Sequence, residues 1–464
     1  MVLNQKLKTN KYVTKRQNKF IQHKKSPDEK TSGLFLYLSF MIIAELHQLF
    51  LQHPTISTDT RKITKNCLFF ALKGDNFNGN AYAQKALENG AIYAIVDEEK
   101  YANHKNTILV KDVLVTLQKL ANYHRKQSKA KIISLTGSNG KTTTKELINA
   151  VLATSYKTIA TIGNLNNHIG VPLTLLTIKK DTEIAIVEMG ANHQKEIEFL
   201  CTIAEPDYGY ITNFGKAHLE GFGGVEGVIK GKSELYQYLI SDNKYVFLNA
   251  DDPIQIDKLN NYAKKFGYSQ TNSKYYPIQF ISANPFVQIA FENSEINSKL
   301  IGAYNYNNCC AAILMGKYFN VSIKDIKKGI ESYTPSNNRS QIIEKNGHQI
   351  ILDAYNANPS SMEVALENFK KIDATSKIVF LGDMFELGET AANEHQAIAD
   401  LAISMDFDYT YLIGENFNTT QTKIDTFSSF EVLKEFLKKQ EIPKSNILIK
   451  GSRGMALERI LDVL

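Results

Sequence analysis

The sequence predicts an α/β protein of three domains, and three observations carry that prediction. A chain of 464 residues with 43% apolar content is long enough to bury two or three separate cores. Short apolar runs alternate with helical patterns along most of its length, which implies mostly parallel sheets with helices on both faces. Between one such run and one such helix lies Thr136-Gly137-Ser138-Asn139-Gly140-Lys141-Thr142-Thr143, the layout of a phosphate-binding loop.

The first forty residues stand apart. Lys6, Lys8, Lys11, Lys15, Arg16, Lys19, Lys24, Lys25 and Lys30 face only Asp28 and Glu29 there. The apolar run Leu34 to Phe40 superficially resembles a signal peptide, but it continues into Met41-Ile42-Ile43-Ala44-Glu45-Leu46 without a small-residue cleavage site. Residues 1–40 are therefore read as a basic extension outside the fold. An upstream translation artefact with Met41 as the true start is preferred to a disordered tail.

From Met41 to about Lys111 the pattern is a small α/β domain. A first helix starts at Met41, and strands at Cys67–Leu72 and Ala91–Val96 flank a helix at Ala81–Glu88. Residues 112–334 form the second domain, with strands at Ile132–Leu135, Ile184–Glu188, Tyr208–Thr212 and Tyr245–Leu248 and a helix at Glu146–Leu152. This is a central, mostly parallel domain of the P-loop type, and its ligand site is expected at the carboxyl ends of the strands. Residues 335–464 repeat the alternation, with strands at Ile350–Leu352, Ile378–Leu381, Tyr409–Ile413 and Ile447–Ile449, and read as an open, Rossmann-like α/β domain.

Composition removes several function classes. The net charge of +6 owes much to the first thirty residues, so the remainder has no basic face for nucleic acid. Cys67, Cys201, Cys309 and Cys310 form no C-x-x-C pair and have no accompanying His/Cys cluster, which speaks against a zinc site or a disulfide framework and for a reducing cytoplasm. No apolar run approaches the roughly 20 residues of a membrane span.

The loop at Gly137 to Thr143 departs from the common P-loop, because Leu135 stands five residues before Gly140 where a glycine is usual. Its chemistry is nevertheless complete. Glycines let consecutive N–H groups face phosphate oxygens, Lys141 supplies a cation and Thr142 a hydroxyl. Further polar residues follow strands, where a parallel-sheet site belongs: Glu188, Asn213, His218 in the next loop, and Lys232 on the helix after it. Glu188 and Thr142 are hard oxygen ligands suited to magnesium on a triphosphate. Taken alone, His218 is better read as a packing residue and Lys232 as part of a solvated helix face.

Together these residues resemble the Mur ligase family, the ATP-dependent enzymes that build the peptide of bacterial cell-wall precursors. The resemblance runs from about Met41 to Leu464 and rests on Gly163-Asn164-Leu165-Asn166-Asn167-His168-Ile169-Gly170-Val171-Pro172, Glu188-Met189-Gly190-Ala191-Asn192, Asp353-Ala354-Tyr355-Asn356-Ala357-Asn358-Pro359, Leu381-Gly382-Asp383-Met384-Phe385-Glu386-Leu387-Gly388 and Lys450-Gly451-Ser452-Arg453-Gly454-Met455. Within the family the patterns are most similar to the members that add D-alanyl-D-alanine to UDP-N-acetylmuramoyl-tripeptide.

The resemblance implies that the γ-phosphoryl group of ATP activates the tripeptide carboxylate as an acyl phosphate, which the dipeptide amine then attacks. It implies two magnesium ions, one on Thr142 and Glu188 and the other on Glu188, His218 and a Lys232 carbamylated by carbon dioxide. It assigns ATP to Gly137, Ser138, Asn139, Gly140, Lys141, Thr142 and Thr143, adenine to Asn305 and Asn308, and phosphates and ribose to Arg339 and Asp353. Tyr304 stands where the family often has histidine. Substrate contacts would fall to Asn164, Asn166, Asn167, Asn356 and Asn358. In the first domain, which the resemblance makes a uridine-nucleotide-binding domain, they would fall to Thr58, Asp59, Thr60 and Arg61. Read as isolated Asn and Asp residues, several of these are equally caps or turn formers. The resemblance further suggests a monomer. Three alternatives stand beside this reading: the ligase that adds the third amino acid, whose Asp-Asn-Pro-Arg segment is absent; a folate polyglutamylating ligase; and a nucleotide-binding protein that has lost ligation.

Overall fold

In a computed structural model, the structure describes residues 42–336 and 338–464. The expectations for residues 1–40, and for Met41 as the first residue of the fold, lie outside the described residues. The described chain builds three α/β layers in sequence order. No described helix is long and apolar enough to cross a membrane.

The first sheet is parallel, in the spatial order Ile56–Ser57, Leu68–Phe70, Tyr93–Val96, Thr107–Leu109. Its expected strands are shorter than the apolar runs. After Phe70 the chain leaves the ladder for a two-stranded hairpin, Lys73–Gly74 with Phe77–Asn78. The first helix, Ile43–Gln52, buries Leu46 and Phe50 against the helix Val113–Gln127. That second helix has a defined start, because Asp112 Oδ1 accepts the Val115 N–H at 2.8 Å, and its last turn carries His124, Arg125 and Lys126. Both ends thus suit the helix dipole.

The central sheet has seven parallel strands in the order Tyr276–Pro277, Lys265–Ser269, Tyr245–Asn249, Tyr208–Ile211, Lys131–Thr136, Ile184–Glu188, Thr158–Ala160. Lys131–Thr136 enters first. The chain then goes to one edge, returns through Ile184–Glu188, and crosses to Tyr208–Ile211 on the other side. The connections diverge on either side of Lys131–Thr136, which opens a crevice at its carboxyl end. The phosphate-type loop sits there.

The alternation read from the sequence breaks at residue 279. A three-stranded antiparallel sheet, Gln279–Ala283, Phe286–Phe291 and Ser294–Ile301, intervenes before the helix Asn305–Tyr318. Val287, Ile289 and Phe291 alternate inward and join the core beneath that helix, so the strands follow a period of two that a search for continuous apolar runs passes over.

The last sheet runs Gln341–Lys345, His348–Asp353, Asn446–Lys450, Lys377–Gly382, Tyr409–Ile413, Asp425–Phe427, parallel except for the first strand. Every strand expected in this domain is present, and most extend one or two residues further. The four cysteines are free and buried.

Candidate active site

The second and third domains meet around one cavity of about 1210 Å³. It is lined from the phosphate-type loop, the Asn164–His168 segment, the ends of the central strands, Asn305 and Asn308, and the third-domain residues Arg339, Asp353, Asn356 and Asn358.

The loop's geometry follows from its glycines. Gly137 and Gly140 have φ of +141° and +78°, conformations that an L side chain resists. A Cβ on Gly140 would lie 2.6 Å from Asn308 Oδ1. The loop is tied down from the neighbouring strand end: Asn213 Oδ1 accepts the Asn139 N–H at 3.0 Å, while Asn213 Nδ2 and Thr212 Oγ1 donate to Asn139 O at 3.0 and 2.6 Å. Ser138 Oγ donates to Gly215 O at 2.7 Å. The helix Lys141–Leu152 starts directly at the cavity, so its positive end and unpaired N–H groups face the space a triphosphate would fill.

Lys141 Nζ donates to Gly137 O at 2.7 Å and Ser138 O at 3.1 Å, curled back over its own loop. Burial lowers its pKa; the Arg339 guanidinium pushes the same way and Glu188 opposes both. Two cations from different domains thus feel one another across the cavity, an arrangement that an anionic ligand relieves.

Glu188 ends the strand Ile184–Glu188 and is only 1% exposed. Thr142 Oγ1 donates to its Oε2 at 2.9 Å and Asn166 Nδ2 to its Oε1 at 2.8 Å. Lys145 Nζ, fully buried, lies 4.0 Å from Glu188 Oε2, pairs more closely with Glu146 Oε1 at 2.9 Å and donates to Thr161 O. Sequence reading passed over Lys145 and Thr161. The only signal was a lysine one helical turn beyond Lys141, which looks like any helix-surface residue.

The hydroxyl and carboxylate of Thr142 and Glu188 meet on the cavity wall and fit a hard divalent cation. Among the described residues no group of three or more His, Cys, Asp or Glu side chains is placed to hold a metal. Phosphate oxygens and water would have to complete such a shell, the usual situation for magnesium.

Lys232 lies on the helix Val225–Ser241 and is 0% exposed, not on a solvated face. It does not line the cavity. Its Nζ donates to Ala191 O at 3.0 Å, a residue of the cavity wall, and sits 4.7 Å from the centre of the Phe222 ring. Burial drives its pKa well below the ordinary lysine range, Lys141 adds to that, and Glu196 and Glu234 oppose it. His218 is on the wall with φ +53°, and its Nδ1 contacts Glu386 Oε2 from the third domain.

Asn305 and Asn308 are buried at the start of their helix. Asn308 Nδ2 donates to Asn305 Oδ1 at 2.7 Å, and Asn308 Oδ1 accepts from Thr144 Oγ1 at 2.9 Å, so the pair braces the loop helix. Tyr304, the departure from the family pattern, reaches into the third domain through a 2.7 Å hydrogen bond with Ser340 Oγ. Ser340 N–H in turn donates to Asp353 Oδ1 at 3.0 Å, and Lys450 Nζ pairs with Asp353 Oδ2 at 2.5 Å. The Arg339 guanidinium stacks 3.5 Å from the centre of the Tyr355 ring.

Asn358 combines two uses. It caps the helix Pro359–Lys371 by accepting the Ser361 N–H at 2.9 Å, and its Nδ2 donates to Asn139 Oδ1 at 2.8 Å. The cavity also takes in Asn164, Asn166, Asn167, Asn356 and Thr143. It does not take in Thr58, Asp59, Thr60 or Arg61. Asp59 caps the short turn Thr60–Lys62 and binds Arg61 through Nε and Nη2 at 2.9 and 2.8 Å on the open surface of the first domain. The Arg61 partner depresses the Asp59 carboxyl to a pKa of about 2.

Comparison with known proteins places this geometry. Residues 54–134 match the catalytic domain of the Mur ligase family, residues 135–316 the Mur ligase middle domain, and residues 338–453 the Mur ligase glutamate ligase domain. The UDP-N-acetylmuramoyl-tripeptide–D-alanyl-D-alanine ligase of Bacillus subtilis is 34% identical over 434 residues, covering 88% of this chain and 92% of its own. The Escherichia coli ligase of the same name is 31% identical over 425 residues, with 88% and 93% covered. Among solved structures, MurF from Acinetobacter baumannii superposes with a TM-score of 0.77 at 30% identity, covering 88% of this chain and 92% of that one. MurF from Thermotoga maritima in complex with ADP gives 0.77 at 26% identity, with 89% and 97% covered. The domain matches, the identities and the superpositions agree, and the chain belongs to the Mur ligase family.

Proposed function

We propose that this chain joins D-alanyl-D-alanine to UDP-N-acetylmuramoyl-tripeptide with hydrolysis of ATP to ADP and phosphate, giving the pentapeptide precursor of peptidoglycan. The observation that carries this reading is the convergence of Lys141, Thr142 and Glu188 with third-domain Arg339 on one cavity, in a chain similar over nearly its whole length to ligases of that name.

A carboxylate oxygen of the tripeptide attacks the γ-phosphorus and ADP leaves. The dipeptide amine then attacks the acyl carbon, loses a proton, and phosphate departs. Both steps concentrate negative charge, so positioned cations dominate catalysis and no protein nucleophile is required. Lys141 leaves its carbonyl partners to meet the phosphates, the loop N–H groups of Gly137 to Thr143 cradle them, and Arg339 closes from the other side. Asn305 and Asn308 address the adenine, and Asp353 the ribose. Thr142 and Glu188 would hold magnesium, which would supply positive charge against the phosphates.

A second ion is assigned to Glu188, His218 and a carbamate of Lys232. What supports the carbamate is the full burial of the amine, which drives its pKa well below the ordinary lysine range and so favours the neutral form that attacks carbon dioxide. Asn164, Asn166, Asn167, Asn356 and Asn358 take substrate in the cavity, and Thr58, Asp59, Thr60 and Arg61 take the uridine nucleotide on the first domain. Domains at 41–111, 112–334 and 335–464, action as a monomer and a cytoplasmic location complete the reading.

The test is phosphate release from ATP with each substrate in turn. Release should require both nucleotide tripeptide and D-alanyl-D-alanine. Equal release with a single amino acid, or without any amine, would overturn it.

A further inference from the structure

The segment Leu381 to Gly388 belongs to the sequence patterns of the chain, yet nothing above gives Glu386 a part in the reaction. The structure brings this segment from the third domain against His218 on the cavity wall, held by its own hydrogen bonds. Asp383 accepts the Asn416 and Phe417 N–H groups, each at 2.9 Å. The Met384 N–H donates to His395 Nε2 at 3.0 Å and the Phe385 N–H to Ser452 Oγ at 3.0 Å. Glu386 comes next, at φ +62°, with its carboxylate on His218 Nδ1 and its carbonyl accepting the Glu220 N–H at 3.3 Å. Beside it Lys216 Nζ pairs with Glu394 Oε1 at 2.8 Å, a second link between the same two domains.

We propose that Glu386 is a positioning residue: its carboxylate fixes the ring of His218 as the third domain docks, so that His218 is set for the reaction only in the docked enzyme. The proposal rests on the reading of His218 given above. The Glu386 side chain is 49% exposed, and a solvent-screened pair of this kind adds little to stability. Its consequence is geometric. A carboxylate that accepts from Nδ1–H holds the proton on Nδ1 and leaves the Nε2 lone pair free to act, the tautomer control that outer partners of histidine ligands exert. Both residues sit in the left-handed region, a conformation that non-glycine residues hold only when their surroundings enforce it.

The experiment compares Glu386→Ala, Glu386→Gln, His218→Ala and the double variant Glu386→Ala/His218→Ala in the ligation assay. Nitrogen NMR of histidine-labelled free protein in mildly alkaline buffer is recorded alongside, with the His218 signal assigned by its loss in His218→Ala. Glu386→Ala should lose about ten- to a hundredfold in kcat with little change in KM for ATP. Glu386→Gln, which keeps an acceptor oxygen, should recover much of it. The double variant should be no slower than His218→Ala, and the His218 proton should move from Nδ1 towards Nε2 in Glu386→Ala. A normal rate in Glu386→Ala while His218→Ala is impaired, additive losses in the double variant, or an unchanged His218 tautomer would each sink the proposal alone. A fully active His218→Ala would instead sink the reading beneath it, and the proposal with it.

Discussion

Replacing Gly140 with alanine tests the loop where backbone and site are least separable. At φ +78° an L residue costs about 1–2 kcal/mol before any contact is counted. The new Cβ would also lie 2.6 Å from Asn308 Oδ1, which must move. Asn308 is buried, and its movement breaks the hydrogen bonds from Thr144 and to Asn305, leaving partners unsatisfied at about 1–3 kcal/mol. Gly163 supplies the control, since it has φ +57° but nothing within 4 Å of a Cβ, so alanine there meets only the conformational term. The Asn308 term falls on the loop and on the residue assigned to adenine together. Nucleotide affinity should therefore drop by about five- to 150-fold, the equivalent of that energy. The assay is calorimetric titration with an ATP analogue, with melting temperatures of both variants measured in parallel. If Gly140→Ala binds nucleotide like the parent and melts no lower than Gly163→Ala, the loop is not the strained cradle described here.

Four further outcomes are expected. Lys141→Ala should abolish ligation and leave the fold intact by circular dichroism, because its ammonium bonds only to loop carbonyls and packs in no core; unchanged turnover would remove it from the phosphate site. Glu188→Ala should abolish magnesium-dependent turnover, and raising magnesium should restore little of it; full recovery at high magnesium would show that Glu188 only tunes affinity. Lys232→Ala should lose most activity and regain part of it with acetate, while Lys232→Arg stays inactive because a guanidinium forms no carbamate; a fully active arginine variant would end the carbamate assignment. The fourth concerns His47 and His124, which share a 3.0 Å buried hydrogen bond and are both held below the ordinary histidine pKa of 6.5, chiefly by burial. The unfolded chain binds protons there before the folded one, so their contribution is full above pH 6.5 and is lost as pH falls below it. The melting temperature should fall less steeply below that pH in His47→Leu/His124→Leu than in the parent, and equal slopes would refute the linkage.

The sequence by itself determined the sheets and the loop. The runs Ile184–Val187 and Ile378–Leu381 are continuous, apolar and buried on both faces, so their position is written locally, and the phosphate-type loop is legible because its glycines, Lys141 and Thr142 are contiguous. The antiparallel strands from Gln279 to Ile301 were not legible as apolar runs, because Gln279–Ala283 buries no residue and the other two strands alternate buried with exposed positions. What only the tertiary structure decided is who meets whom. Lys232 reads as a helix-surface lysine, and its complete burial is set by the Phe222 ring on the preceding short helix and by the Ala191 carbonyl, 41 residues away in sequence. Lys145 as a buried neighbour of Glu188, Asn358 as both helix cap and tie to Asn139, and Glu386 as the partner of His218 are contacts between segments separated by 43 to 219 residues or brought from another domain. Such contacts depend on the packing of whole layers, and no local pattern of polarity or propensity encodes them.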